Sequence, residues 1–366
     1  MKEVKLFHGP NHPGMHGNFS VHLTVDGDTV KKAKPNPGML HRGFEKLMER
    51  RLWLNNIALI PRVCVPEPDL NEAVYSMAVE KIQNLEIPER AKYIRVLMME
   101  LARISVHMMS IGGIGGPTGV YTAPNWALAD RDLILDIFEK ITGHRVYHMY
   151  IVPGGVRQDI DEKTFRFIEN TIRDIEKRLK DYKEIIFESP IIHKRLKGTA
   201  PLTKEQALNW GVTGPGLRST GEKYDVRKQF PYFVYDKLDF DIPVADKSDA
   251  FTRLYLKYLE VKQSIKIIKQ VINKIPKGKV RLKLTGTALK WKIKKGEAYG
   301  KVESSRGEFG YYVVSDGGRS PYRVQVRGAS YPQGLYGIEA GLPETRLEDV
   351  AIWLDTMGVC APEIDR

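Results

Sequence analysis

Cysteine is nearly absent: two in 366 residues, too few for the disulfide framework of a secreted chain. No apolar run reaches the roughly 20 residues that a membrane-spanning helix needs. The longest, at 96–116, is interrupted by Glu100, Arg103 and His107. The opening Met1-Lys2-Glu3-Val4-Lys5 has no apolar core of the signal-peptide kind, so the expected location is cytoplasmic, with membrane association made through partner subunits. The glycine-rich segment 112–119 is not followed by Gly-Lys-Ser/Thr, which excludes a phosphate loop. Internal repeats and low-complexity linkers are also missing, which favours one continuous domain.

Acidic residues are fewer than basic ones, 45 against 57, for a net charge of +12. The excess sits in stretches such as 163–183 and 255–279, where Lys and Arg alternate with acidic and apolar residues. That is the pattern of a solvated helix face, and no nucleic-acid partner is expected. Abundant Lys and Glu beside scarce Cys fit a hyperthermophile.

The hydrophobic period changes along the chain. Residues 19–30 alternate around Asp26-Gly27-Asp28, a β-hairpin signal. Helical spacing of three and four residues then predicts helices at 44–60, 71–84, 88–111, 125–142, 161–187 and 247–275, with 112–119 as a loop at the end of a bundle. Beyond Pro276 the chain reads as strand, at 309–315 and 322–327 around a turn at Asp316-Gly317-Gly318. The expected fold class is α+β, mainly α: a central helical bundle flanked by small β elements at both ends. One domain, 1–366, divides into a β-hairpin region at 1–40, a helical body at 41–275, and C-terminal β elements with a site-forming tail at 276–366.

The two cysteines share a context. Cys64-Val65-Pro66-Glu67 and Cys360-Ala361-Pro362-Glu363 each place a glutamate three residues after the thiol, preceded by proline. One such unit is weak evidence, because free cysteines often serve as small buried hydrophobes. Two of them, if the fold brings them together, supply a four-ligand pocket of two thiols and two carboxylates. A second dense cluster, Gly9-Pro10-Asn11-His12-Pro13-Gly14-Met15-His16-Gly17, puts two histidines on a loop. His12 suits a staple of that loop, and His16 a proton donor or ligand.

Several segments, quoted in order, resemble the 49-kDa subunit of complex I: the 9–17 cluster, Leu40-His41-Arg42-Gly43-Phe44-Glu45-Lys46, 71–81, 88–95 and Pro153-Gly154-Gly155-Val156, then 227–232, Arg306-Gly307-Glu308, Ser315-Asp316-Gly317, Pro321-Tyr322-Arg323 and Glu363-Ile364-Asp365-Arg366. The resemblance spans essentially the whole chain, and it extends to the large subunit of nickel-iron hydrogenases, whose fold it implies. In those hydrogenases two C-x-x-C pairs hold the metals; here the second cysteine of each pair is Glu67 or Glu363. A carboxylate is a harder ligand than thiolate, so no nickel-iron centre and no other bound metal or cofactor is expected in this chain.

The resemblance also implies changes at the quinone site, since Cys64 and Val65 stand where complex I has aspartate and tyrosine. His16 matches the histidine that hydrogen-bonds quinone, and the acidic partner of that histidine falls near Pro117. Arg42 matches the arginine that lies against a 4Fe-4S cluster of the adjacent small subunit. The histidine beside that cluster falls at Tyr147, and the neighbouring His148 is the candidate to face it. This pattern most resembles the archaeal membrane-bound sulfane-sulfur reductases. It implies a chain that passes ferredoxin-derived electrons to polysulfide, on the cytoplasmic side of a membrane complex with ion-translocating, antiporter-like subunits. Cys64 and Cys360 would be the sulfur nucleophiles, with Glu67, Glu363 and His16 moving protons. Quinone reduction of the complex I kind and a purely structural adaptor role stay open.

Overall fold

The computed structural model describes residues 3–12, 17–283, 287 and 289–366. Near the N-terminus three antiparallel strands, β1 (Val4–His8), β2 (Ser20–Asp26) and β3 (Thr29–Asn36), form a sheet in that order. The expected hairpin is β2–β3, and its turn needs Gly27 at φ 63°. Strand β1 has no buried residue to advertise it. Hydrogen bonds tie β3 to the distant tail: Val30 N donates to Thr345 O (2.8 Å) and Glu344 N to Val30 O (2.7 Å).

A short helix α1 (Phe44–Arg50) follows. The expected helix at 44–60 ends early because Asn56 turns back, its Nδ2 donating to Met48 O at 2.9 Å, and Pro61 cannot continue a helical ladder. Only 3-10 turns, Asn55–Ala58 and Ile60–Arg62, bridge the gap. The helical body is α2 (Pro68–Gln83), α3 (Glu89–Gly113), α4 (Thr122–Thr142), α5 (Glu162–Tyr182) and α6 (Ala250–Lys274).

Helix α5 shows how sequence selects position. Phe165, Ile168, Ile172, Ile175 and Leu179 form its buried stripe, its charged residues face outward, and Asp161 caps it by accepting from Thr164 N at 2.7 Å. The basic stretch at 163–183 is therefore a solvated face. Helix α2, by contrast, is buried on nearly every side. It packs against α3 and against the hairpin β6 (Gly296–Ser304) and β7 (Gly307–Ser315), which β8 (Arg323–Arg327) extends. Before that sheet, the two-residue strands β4 (Ile151–Val152) and β5 (Gly155–Val156) pair with each other. The chain closes with α7 (Val350–Met357) and α8 (Ala361–Asp365).

The glycine segment does not behave as the expected loop. Helix α3 runs to Gly113 and a further turn spans Gly115–Thr118. A Cβ at Gly115 would lie 2.4 Å from Pro124 Cδ, and one at Gly112 would lie 2.8 Å from Ala127 Cβ. These glycines let the start of α4 approach closely, and the backbone between them stays helical.

Between α3 and α6 lies a sealed set of charges: Glu100, Arg103 and His107 from α3, Glu260 from α6, Arg218, Asp225 and Arg227 from the preceding segment, and Glu303 near the end of β6. Arg227 is 2.7 Å from Asp225 and 3.2 Å from Glu100; Arg218 is 2.7 Å from Glu303 and also pairs with Glu260. Each carboxylate meets a guanidinium, which is the condition for burying such groups.

Candidate functional site

Both C-x-x-E units fold into the same turn. Glu67 N donates to Cys64 O and Glu363 N to Cys360 O, each at 3.2 Å. Proline then opens a helix, Pro68 at the first turn of α2 and Pro362 at that of α8. The turn puts thiol and carboxylate on one side of each unit. The fold brings the two units together: Cys64 Sγ and Cys360 Sγ lie 4.0 Å apart, both buried.

The tip of the β6–β7 hairpin completes the cluster. Ser304 pairs with Gly307, which leaves Ser305 and Arg306 as the turn. Arg306 Nη2 lies 2.6 Å from Cys64 Sγ, 2.7 Å from Glu67 Oε2 and 3.2 Å from Glu363 Oε2. Each carboxylate also accepts a backbone N–H at 2.7 Å, Glu67 from Ser305 and Glu363 from Ser330. Two glycines make room: a Cβ at Gly307 would meet Thr213 Oγ1 at 2.3 Å, and one at Gly328 would meet Glu363 Cγ at 2.7 Å. Arg306 carries no role in the sequence reading beyond its place in a matched motif. Its only local signal is an arginine next to glycine at a hairpin turn, where an exposed side chain is the ordinary outcome.

One guanidinium faces two carboxylates and two thiols, and the thiols titrate as a pair. The first proton is lost readily: a hydrogen bond from Cys64 holds Cys360 below the usual thiol range, and Arg306 helps. The second is lost with difficulty, because burial pushes Cys64 well above that range and Cys360 adds to the effect. The pair therefore ionises first at Cys360, and the resulting thiolate beside a thiol is the state suited to sulfur exchange. Ser305 Oγ and Gln333 Oε1 are buried without a hydrogen-bond partner among the described residues, and Gln333 Nε2 donates to Arg306 O at 3.2 Å. Cys64, Cys360 and Glu363 place ligand atoms within 4.8 Å of one another.

Arg42 clasps the two units from outside. Its Nη1 donates to Arg62 O at 2.8 Å and its Nη2 to Pro362 O at 3.2 Å, while the guanidinium lies over the Phe44 ring. The side chain stays exposed. The tail is fixed further by Asp365, whose carboxylate accepts from Gly38 N and Leu40 N, both at 2.8 Å.

His148 corrects an expectation. It is 2 % exposed, its Nδ1 lies 3.0 Å from both oxygens of Asp69, and its ring packs on Phe138. A ring enclosed in this way cannot face a neighbouring subunit. Burial opposes its protonation, yet Asp69 outweighs that and raises the pKa. The half-buried groups beside it are Tyr147 and Arg62, whose guanidinium stacks over the tyrosine ring at 4.7 Å. His16 lies outside the described residues. Gly17, next to it, sits beside Pro362, to which a Cβ would lie 3.3 Å, so the chain at Gly17 adjoins the Cys360 turn.

Fold and site together define a class, the peripheral oxidoreductase subunits of complex I-like assemblies. The chain belongs to the family described as respiratory-chain NADH dehydrogenase, 49-kDa subunit, whose model matches residues 117–292 and 282–366. It is 62 % identical to a subunit of the NADH-quinone oxidoreductase of Thermosipho melanesiensis over the full length of both chains. It is 37 % identical to NADH-quinone oxidoreductase subunit 4 of Thermus thermophilus, over 88 % of this chain and 84 % of that one. Among solved structures, a chain of the membrane-bound sulfane sulfur reductase, an archaeal respiratory membrane complex, superposes with a TM-score of 0.97 and 46 % identity, covering 100 % of this chain and 98 % of that one. The expected α+β, mainly α architecture of the large-subunit kind is borne out. No helix among the described residues is long and apolar enough to cross a membrane.

Proposed function

We propose that this chain forms the terminal electron-accepting site of a membrane-bound respiratory complex and reduces sulfane sulfur there. The observation that carries the reading is the meeting of Cys64 and Cys360 at 4.0 Å around one guanidinium. The thiolate of the pair attacks a sulfane S–S bond, forming a mixed disulfide and releasing the shortened sulfur chain as its anion. The second cysteine then attacks the mixed disulfide, closing Cys64–Cys360 and expelling the remaining sulfur as thiolate or hydrosulfide. Closing the disulfide brings the sulfurs from 4.0 Å to the roughly 2.0 Å of a bond. Two electrons and two protons restore the thiols. The electrons come singly from an iron-sulfur cluster of an adjacent small subunit, which ferredoxin supplies. Arg306 stabilises whichever sulfur is anionic, and Glu67 and Glu363 hold it in place and exchange protons with the pair. His16 is a further proton source.

The donor set does not fit a nickel-iron centre. Carboxylates replace two of the four sulfurs, and a guanidinium already supplies the positive charge between the remaining ligands. Arg42 and the Arg62–Tyr147 pair form the surface toward the cluster-bearing subunit. The chain lies on the cytoplasmic side of the cell membrane, and ion translocation belongs to its membrane-arm, antiporter-like partners.

The test is turnover by the assembled complex with polysulfide. Cys64→Ser and Cys360→Ser are expected to lower the rate by at least about a hundredfold, an effect on the order of 3 kcal/mol, without loss of assembly. Parental rates in both variants would end the thiol mechanism. A second reading, quinone reduction, is favoured by the names of the relatives; Val65 offers no hydrogen-bond donor where that reading needs a phenol. Reduction of a soluble quinone but not of polysulfide would select it.

A further inference from the structure

Lys257 on α6 is a buried amine that the thiol chemistry leaves unused. It is 3 % exposed, and its Nζ donates to Ser110 Oγ at 2.6 Å and to Asp355 O at 2.9 Å. Ser110, in the last turn of α3, is half-buried beside the exposed Met109, so one side of the amine leads toward the surface. The other side leads to the site. A Cβ at Gly358 would lie 3.8 Å from Lys257 Nζ and 3.0 Å from Arg306 Cγ. The amine and the arm of the site arginine therefore flank one glycine, two residues before Cys360.

We infer that Lys257, reloaded through Ser110, delivers the protons that restore the thiol pair after reduction. Each disulfide reduced consumes two protons inside a buried cluster. Both carboxylates there are buried and held by Arg306 and a backbone N–H, so any proton they pass to the thiols must be replaced by a donor with its own route to solvent. An ordinary lysine keeps its proton too firmly for that role. Here burial lowers the pKa to about 8 against the attraction of Asp355, with Arg253 and Arg306 lowering it further and Glu260 opposing. His107 is the titratable group of α3 that senses this charge. The amine thus holds a proton near neutrality and can release it. Through Asp355, its carbonyl ligand, it is also fixed to the helix that leads into the Cys360 turn.

This role rests on the proposed function only in requiring a proton-consuming acceptor at the thiols. The assembled complex is assayed with polysulfide across pH. Parental turnover is expected to fall as pH rises through about 8, where the donor loses its proton. Lys257→Arg keeps a buried cation that cannot release its proton, and Lys257→Met has none. Both are expected to be slower by about a hundredfold near neutral pH and to lack that limb. Electron delivery from ferredoxin to a soluble one-electron dye should stay parental in both, which reports intact assembly. Parental turnover by Lys257→Arg with the limb unmoved would overturn the inference and leave Lys257 a packing residue. If neither variant assembles, Ser110→Ala decides: a several-fold loss with the limb retained supports the route, and a parental rate overturns it. A parental complex inert to polysulfide would sink the proposed function alone, and the same pH series then uses a soluble quinone as the proton-consuming acceptor.

Discussion

Around Glu100 and Arg227, three guanidinium groups meet four carboxylates, each carboxylate within reach of at least one arginine. Around Cys64 and Cys360, a single guanidinium meets two carboxylates and two thiols. Both clusters are sealed from solvent, yet the first is close to balanced and the second carries more acid than base. A balanced cluster pins helices together, and its one raised carboxyl, Glu303, stands at its acid edge. An unbalanced one keeps a proton on its weakest acid, and here that is the Cys64 thiol. The difference separates a structural tie from a reactive site within one core.

Breaking the balanced cluster gives the largest expected effect. Arg227→Met leaves Asp225 and Glu100 short of a partner, and a loss of about 3–5 kcal/mol in denaturant unfolding is expected, with little specific effect on the thiols. A loss under about 1 kcal/mol would show that the network is not the tie described.

Its acid edge sharpens the comparison. Glu303 is raised to about 7 by burial, with Asp225 adding and Arg218 opposing. A carboxyl whose folded pKa exceeds its ordinary value near 4.5 favours the folded state while protonated. That contribution is complete below about pH 4.5 and is lost as pH rises through about 7. The stability gap between the parent and Glu303→Gln should therefore narrow by on the order of 1–3 kcal/mol between about pH 5 and 7. A gap constant over that window contradicts the raised value.

At the unbalanced cluster the effect is smaller and chemical. Glu363 opposes ionisation of both thiols, so Glu363→Gln is expected to lower the pH at which ultraviolet thiolate absorbance first appears. Turnover should fall about tenfold, roughly 1.4 kcal/mol, as one proton-exchanging group is lost. The amide oxygen can still accept from Ser330 N, so folding should survive; an unmoved thiolate titration would break the comparison.

What the sequence showed of this follows from range. The twin C-x-x-E turns are local, and their shared spacing is visible in the chain before any fold exists. The stripe of α5 is equally local. Arg306 was hidden because its role depends on a hairpin tip being driven between Thr213 and the two turns, a contact over long separations. His148 was placed beside a partner because it adjoins Tyr147, where the resemblance puts the cluster-side histidine, whereas Asp69, on a helix far earlier, draws the ring inward. The helix expected at 44–60 failed at Asn56 and Pro61, and the glycine segment misled because glycine there serves contact between helices.

The central claim is that two sulfurs distant in sequence act as one redox unit. Treating the complex with polysulfide in the absence of any electron donor, then trapping free thiols and mapping the peptides by mass, tests it directly. The expected product is a peptide in which Cys64 is bonded to Cys360, with no free thiol at either position. Recovery of both cysteines as unmodified thiols would contradict it.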